Sequence, residues 1–434
     1  MGSARGRYSG ACYHRQRCLK PTPLWGYRHA RNDGWGSIMT TTDFDVVVVG
    51  GGPSGATAAN ELTLAGARVL LLERNFRIKP CGGAIPPCLL DEFDIPESLL
   101  VARIRAARMI SPSYQTVDMP VEGTFVGMVN RDEFDPWLRE RAQRNGADVR
   151  TGVFKRAEYR DDDNLELTYE RKGDGAGTVT VSTRYLIGAD GARSKVAKQR
   201  IACADKLKWV FAYHEIIDAP ARASEHYDAE RCDVWYQGDL SPDFYAWVFP
   251  HGKHASIGVG SESKQFSATD AVTLLRQRTG LDSADTVRRE GAPIPMKPLP
   301  RWDDGRGVLL SGDAAGVVAP ASGEGIYYAM HCGRLSAQAV LQSLVHGDSR
   351  HLRQARKRFM KGHGKIFWAL GLLQRFWYGN DRRREKFVAM CRDPDVQYLT
   401  WQSYTTKKPV RRRKVQHLRV ALKDVAQLMG LARA

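Results

Sequence analysis

The first ordered pattern in the chain is a run of strand-type residues, Asp45–Val49 (DVVVV), followed by a glycine-rich turn and the helical spacing of Ser54–Ala65. A second strand pattern covers Arg68–Glu73, and a further helix is predicted over Arg131–Asn145. Short alternating segments such as LELTYER and VTVSTRYLIG then dominate through about residue 260. Between those two, RKGDGAGTVTVS (Arg171–Ser182) reads as a hairpin loop rather than a linker. A last strand, Val308–Ser311, leads into a helical stretch from about Ala314 to Val345, and the pattern from Leu352 onward is helical. That order predicts an α/β nucleotide-binding domain interrupted by a mostly antiparallel sheet. The expected division is 43–110, 125–200 and 290–350 for the nucleotide domain, 111–124 and 201–289 for an inserted substrate-binding sheet, and 351–434 for a helical C-terminal region.

Composition and charge narrow the class. The chain has 434 residues, enough for two or three domains and a large core. No apolar run approaches the roughly 20 residues that span a bilayer; the longest, Ile366–Leu373, is flanked by Arg and Lys. The eight cysteines are scattered without CxxC or metal-ligand spacing, which predicts reduced thiols and no metal. The net charge of +17 is concentrated near the ends. Residues 1–38 carry seven Lys and Arg against one acid, 350–386 twelve against two, and 405–434 nine against one. The remainder is mildly acidic, which fits attraction to an anionic surface better than a basic catalytic cleft; no nucleic acid is expected. Solvated basic faces are the plain alternative. Residues 1–42 read as a basic, disordered extension, with Met39 as the natural start.

The chemistry begins at Gly50-Gly-Gly52-Pro53-Ser54-Gly55, a GxGxxG match between strand and helix. The first glycine permits the turn, the second lets a pyrophosphate approach the backbone, and the third lets helix pack on strand. The helix N-terminus offers free N–H groups to phosphates. Glu73 ends the second strand, where a carboxylate meets an adenosine ribose, and Arg74 follows it. Two later segments distinguish FAD from NAD: LIGADGARS with Asp190, and VLLSGDAAGVVAPASGEGIYYAM with Asp313, Gly323, Gly325 and Ile326. Together with Arg131 they resemble the aromatic-hydroxylase-like class of flavoproteins. That class implies a Rossmann-like FAD domain with the fingerprint, the Asp-Gly turn and the GDA segment facing one FAD. No second GxGxxG stands between strand and helix, so NADPH, the expected reductant, would dock transiently.

The stretch KPCGGAIPP (Lys79–Pro87) then makes sense. Cys81, Gly82 and Gly83 lie where that class crosses the flavin ring, and glycine and proline suit a backbone passing close to it. The same stretch resembles the geranylgeranyl reductases, as do Tyr245-Ala-Trp247-Val-Phe249-Pro250 followed by Gly258-Val-Gly260, and FVGMVNRDEFD, SGEGIYYAM and CRDPDVQ. The resemblance runs from about Asp43 to Gly430 and is strongest to the bacteriochlorophyll and chlorophyll branch. It implies an FAD-dependent enzyme that reduces the isolated double bonds of a geranylgeranyl chain, on a pigment ester or a free diphosphate. It further implies that Tyr245, Trp247, Phe249, Pro250, Gly258 and Gly260 form the substrate pocket. Spacing alone equally allows a sheet face buried against the core. Cys81, Tyr245 and His251 are the candidates for a proton donor. Other readings on this fold are a flavin monooxygenase, an archaeal-type lipid reductase, and a non-catalytic prenyl-binding protein. The basic, amphipathic C-terminal region and the lipid-soluble substrate predict peripheral attachment to the cytoplasmic side of a photosynthetic membrane, in a bacterium rather than a plastid.

Overall fold

The computed structural model describes residues 42–75, 78–173 and 175–407. The expected basic extension, up to residue 41, and the basic, amphipathic end of the C-terminal region, from residue 408, therefore lie outside the described residues.

The chain opens with β1 (Phe44–Val49), α1 (Pro53–Leu64), β2 (Val69–Glu73), β3 (Ala84–Ile85) and α2 (Pro87–Glu92). It continues with β4 (Leu100–Ile104), β5 (Ala106–Ile110), β6 (Thr116–Pro120), β7 (Val126–Val129) and α3 (Arg131–Arg144). Then come β8 (Asp148–Thr151), β9 (Val153–Tyr159), β10 (Leu165–Arg171), β11 (Gly177–Gly188) and α4 (Lys195–Arg200). The second half holds β12 (Trp209–Asp218), β13 (Arg231–Trp235), β14 (Ala246–His251), β15 (His254–Ser261), α5 (Ala268–Thr279), β16 (Thr286–Pro295) and β17 (Val308–Leu310). Four helices close it: α6 (Ile326–His346), α7 (Arg353–Trp377), α8 (Asp381–Met390) and α9 (Pro394–Thr406).

One seven-stranded sheet runs β8-β2-β1-β11-β10-β9, with β17 also pairing β11. β1 lies parallel between β2 and β11, which is why its four valines are buried on both faces. The second seven-stranded sheet runs β16-β12-β15-β14-β13-β5-β6, and all its pairs but β13–β5 are antiparallel. Its strands begin at Ala106, ahead of the expected segment 111–124, and end at Pro295, past the expected segment 201–289. A small sheet, β3-β7-β4, stands between them. This is an α/β architecture with an inserted, mostly antiparallel sheet and a helical C-terminal region, as the sequence pattern predicts.

The helix expected from Ala314 begins only at Ile326. Gly312–Ala315 form a single 3₁₀ turn, ended by Gly316 at φ +81. A Cβ on Gly316 would stand 2.4 Å from the Lys297 carbonyl oxygen, so the chain must leave the helix there. Pro320, Ala321 at φ +65 and Gly323 at φ +67 keep it irregular until the next helix. The loop so formed faces the site.

α6 packs against α1 at very close range. A Cβ on Gly333 would meet the Ser54 carbonyl oxygen at 2.2 Å. Ser54, Ser311 and Ser336 join their hydroxyls beneath this contact at 2.8 and 2.9 Å. At the other end of the chain, buried Arg384 fastens α8 to the second sheet. It pairs with Asp381 and donates to the carbonyls of Ser241, Pro242 and Tyr378 at 2.5–3.1 Å. Among the described residues no helix is long and apolar enough to cross a membrane, and no disulfide joins the cysteines.

Gly333→Ala should therefore destabilise the nucleotide domain by about 1–3 kcal/mol through overpacking. The check is the denaturant midpoint; an unchanged midpoint would contradict the closeness of α1 and α6.

Candidate active site

Two cavities meet at one stretch of backbone. The first, of about 600 Å³, is lined by Gly50, Gly52, Glu73, Arg74, Lys79 and Asp190, with Phe211 and Pro293 of the second sheet opposite. Its geometry follows from the β1–α1 turn. Gly50 sits at φ +105, where a Cβ would meet the Ala189 carbonyl oxygen at 2.3 Å; one on Gly55 would meet Gly50's own carbonyl oxygen at 1.9 Å. A Cβ on Gly52 would meet nothing within 4 Å, so the N-terminus of α1 opens on free space. Pro53 starts the helix at a position that needs no N–H. Glu73 accepts the Gly51 N–H at 2.6 Å, which holds the turn against the end of β2. This turn, helix dipole and terminal carboxylate fit the pyrophosphate and ribose of a dinucleotide.

Asp190 lines this cavity, but its oxygens are engaged. It accepts Ser194 Oγ–H at 2.5 Å and the N–H groups of Lys195 and Val196 at 2.7 and 3.3 Å, at the start of α4. Burial raises its pKa in spite of these bonds. Ser54 points into the packing with Ser311, just past β17, and Gly55 lies against the Gly50 carbonyl and Ala189, rather than toward the cavity. Asp313 meets Lys79 Nζ at 2.5 Å. Sequence reasoning missed Lys79 and also Arg139, which donates to the Gly51 carbonyl at 3.2 Å and lines the cavity from α3.

The second cavity, of about 460 Å³, is apolar. Cys81, Gly82 and Gly83 form one wall, and Gly323, Glu324, Gly325 and Ile326 another. Tyr245, Trp247 and Phe249 all project into it from alternate positions of β14 and the residue before it. Residues 78–83 thus partition the two spaces: Ile78, Lys79 and Pro80 face the first, Cys81–Gly83 the second. The partition is thin because it must be. A Cβ on Gly83, at φ +70, would meet both the His251 ring and the Val129 carbonyl oxygen at 2.5 Å.

Of the three proton-donor candidates, Cys81 and Tyr245 line the second cavity, whereas His251 stands behind the partition and lines neither. His251 Nε2 bonds the Gly82 carbonyl at 3.0 Å, and burial depresses its pKa to about 4, so it is neutral near pH 7 and donates from Nε2–H. Tyr245 donates its hydroxyl to the Ser322 carbonyl at 2.6 Å, and burial pushes its pKa up. Cys81 faces Arg131, which Asp135 holds by two bonds of 2.7 and 2.6 Å. Burial opposes the charge on Arg131, but Asp135 and Cys81 more than offset it and its pKa is raised.

Three of the residues assigned to the substrate do not touch the cavity. Gly258 and Gly260 make room for rings: a Cβ on each would meet Trp247 at 2.2 Å and Phe244 at 2.6 Å. Pro250 is buried and alternates to the other face of β14. Sequence reasoning also missed the far wall. Leu370, Leu373 and Trp377 of α7, Phe387 of α8, and Trp401 and Tyr404 of α9 close the cavity. The spacing of three and four on α7 was the signal available for it.

Comparison with known proteins agrees with these geometries. The FAD binding domain family matches residues 43–80 and 102–333. The chain is 52% identical to a geranylgeranyl diphosphate reductase of Rhodobacter capsulatus over 89% of its own length and 98% of that protein. It is 36% identical to a chloroplastic geranylgeranyl diphosphate reductase of Oryza sativa subsp. japonica over 88% of its length and 86% of that protein. A solved structure of a geranylgeranyl bacteriochlorophyll reductase-like protein from Thermoplasma acidophilum superposes with a TM-score of 0.73 at 20% identity. That match covers 86% of this chain and 99% of the other.

The neutral, buried His251 has a consequence for stability. Because its folded pKa of about 4 lies below the ordinary 6.5, the unfolded chain binds the proton first. Stability is therefore full above pH 6.5 and falls as the pH drops toward 4, by on the order of 3 kcal/mol from this group. His363, also held near 4 by burial, adds a second share. Chemical unfolding at both ends of this range should show a smaller difference for His251→Gln than for the parent; equal differences would remove the buried imidazole from the account.

Proposed function

The chain belongs to the geranylgeranyl diphosphate reductases, and we propose that its two cavities serve the two halves of that family's reaction, FAD in the first and the prenyl chain in the second. It is an FAD-dependent oxidoreductase that reduces carbon–carbon double bonds of a geranylgeranyl chain. The observation that carries the assignment is the apolar cavity whose wall is Cys81–Gly83, with Tyr245, Trp247 and Phe249 projecting into it.

Gly50, Gly52, Gly55 and the start of α1 would hold the FAD pyrophosphate, Glu73 and Arg74 the ribose side, and Asp313 the sugar-alcohol chain. Cys81–Gly83 and Gly323–Ile326 would border the ring. Reduced FAD, replenished by NADPH, supplies hydride. The protein's own task is then threefold. The aromatic and aliphatic wall accepts an isoprenoid chain and excludes water. The partition keeps the charged groups of the first cavity away from the prenyl chain. And because an isolated alkene is not polarised by a carbonyl, a proton must be delivered to the carbon next to the one that takes hydride.

The route by which the substrate enters is proposed from α7. Trp368, Leu372 and Leu373 are 72%, 54% and 38% exposed on it, with Lys361, Lys365 and Arg375 nearby in sequence. Leu370, Leu373 and Trp377 of the same helix line the cavity. A helix with an apolar strip, flanked by basic residues and continuous with a lipophilic cavity, suits the surface of an anionic membrane. A pigment ester dissolved in a photosynthetic membrane, or a free prenyl diphosphate, would reach the cavity from there.

Purified protein should hold FAD without a covalent bond. With NADPH and geranylgeranyl diphosphate or the geranylgeranylated pigment, product mass should rise by two hydrogens per double bond. A gain of oxygen would instead support a monooxygenase, and absence of flavin a prenyl carrier. Asp313→Ala should weaken FAD binding by about 1.5–3 kcal/mol, the worth of a hydrogen bond to a charged group; full occupancy after dialysis would misplace Asp313.

For the membrane surface, flotation with anionic liposomes should be lost in high salt and reduced about tenfold by the joint change Trp368→Ala and Leu372→Ala, with flavin content unchanged. Flotation unaffected by that change would place the contact elsewhere.

A further inference from the structure

The second cavity is mostly apolar, with Ser322, Gln374 and Thr400 also in its lining, and its one acid, Glu324, is paired. Its Oε2 accepts from Lys407 Nζ, and the two side chains are 5% and 2% exposed. Lys407 follows the last residue of α9 at φ +52, a left-handed conformation uncommon outside glycine, which returns its side chain to the protein interior. Its ammonium lies 4.0 Å from the centre of the Tyr404 ring and 5.6 and 5.4 Å from those of Tyr327 and Tyr328. The other carboxylate oxygen, Oε1, is buried and has no hydrogen-bond partner. Glu324 stands between Gly323 and Gly325, in the wall of the cavity that also holds Cys81.

Stability does not account for this arrangement. A buried ion pair is commonly no better than apolar residues of the same shape. An unpartnered buried oxygen and a strained backbone each add cost. Such features persist where a function uses them, and an unused carboxylate oxygen in the wall of a prenyl cavity is a place for a proton.

We propose that the Glu324–Lys407 pair is the proton source for reduction of the prenyl double bond. The inference rests on the alkene-reductase reading above. A hydride from reduced flavin forms one new C–H bond with its own two electrons. The alkene π pair forms the other C–H bond, with a proton released from Glu324. Lys407 shares that proton across the pair, and water restores it after the product leaves. Burial favours a shared proton: it raises the pKa of Glu324 and lowers that of Lys407. The groups facing the pair are Cys88 and Glu92 from α2, Tyr327 and Tyr328 from α6, His363 from α7 and Tyr404 from α9. Burial raises Cys88 to about 12, lowers His363 to about 4 and lifts the three tyrosines, so none of these five gives up a proton readily near pH 7.

Glu324→Gln keeps the shape and a hydrogen-bonding partner for Lys407 but cannot supply the proton. The experiment uses flavin-loaded full-length protein, reduced without oxygen and mixed with geranylgeranyl diphosphate. Reoxidation of flavin by the alkene should slow by about a hundredfold or more in Glu324→Gln, the usual contribution of a general acid. Flavin content, the rate of flavin reduction by NADPH, and the affinity for the product phytyl diphosphate, read from the flavin spectrum, should stay within about twofold of the parent. Glu324→Asp should recover part of the rate. A double variant, Glu324→Leu with Lys407→Met, tests the same point without a lone buried charge; it should fold and remain slow. Parent-like reoxidation in either variant overturns the proposal. Loss of flavin or of phytyl diphosphate affinity in step with the rate overturns it too, and assigns the pair to structure. If the parent itself is not reoxidised by the prenyl substrate, the reductase reading fails instead.

Discussion

The architecture depends on how closely the backbone at Gly82 and Gly83 lies against β14. Gly82 would place a Cβ 3.3 Å from Phe249, and Gly83 one at 2.5 Å from His251. No side chain fits there, so the wall between the two cavities is a single layer of peptide. A thicker wall would separate what the cavities hold by several ångströms, and hydride transfer needs reacting atoms about 3–3.5 Å apart. The neutral His251, bonded to the Gly82 carbonyl, holds the layer in place. A charged imidazole would not be stable in that position, and burial ensures that it is neutral.

The partition also divides the electrostatics. On the nucleotide side the carboxylates are committed to the protein: Glu73 to the Gly51 N–H, Asp190 to the start of α4. The open N-terminus of α1 and the cations Arg74, Arg193 and Lys195 remain to meet an anionic ligand, while Lys79 is paired with Asp313. The other side is walled by carbon, sulfur and aromatic rings, with Glu324 the sole acid among its lining residues. Low polarity around a single ion pair strengthens any charge it carries and makes a proton there easier to direct.

The helical end of the chain completes the substrate cavity rather than standing apart. α7, α8 and α9 supply its far wall, and buried Arg384 fixes α8 by joining three carbonyls and Asp381. Residues from Cys81 to Tyr404 therefore share one space, brought together over about three-quarters of the chain. Lys407, one residue past α9, reaches back across it to Glu324.

The sequence by itself determined the nucleotide half of the protein. Gly50 and Gly55 are read from spacing because the turn and the packing on it leave no room for a Cβ, Gly52 because a pyrophosphate must approach the backbone there, and Glu73 from its place at a strand end. The aromatic alternation at Tyr245, Trp247 and Phe249 was legible for the same local reason: period two puts them on one face. Which face was buried core and which was cavity was decided only in three dimensions, by the glycines of β15 making room for the rings. Tertiary contact also demands glycine at the left-handed turn where the expected helix is interrupted, Gly316, because the Lys297 backbone stands where a Cβ would go. It assigned Ser54 to the packing with β17 and α6, and it paired Glu324 with Lys407, 83 residues away. Local periodicity carries no information on such pairs, since a lone acid in a glycine-rich turn and a lysine after a helix become a buried ion pair only when the fold removes water from both.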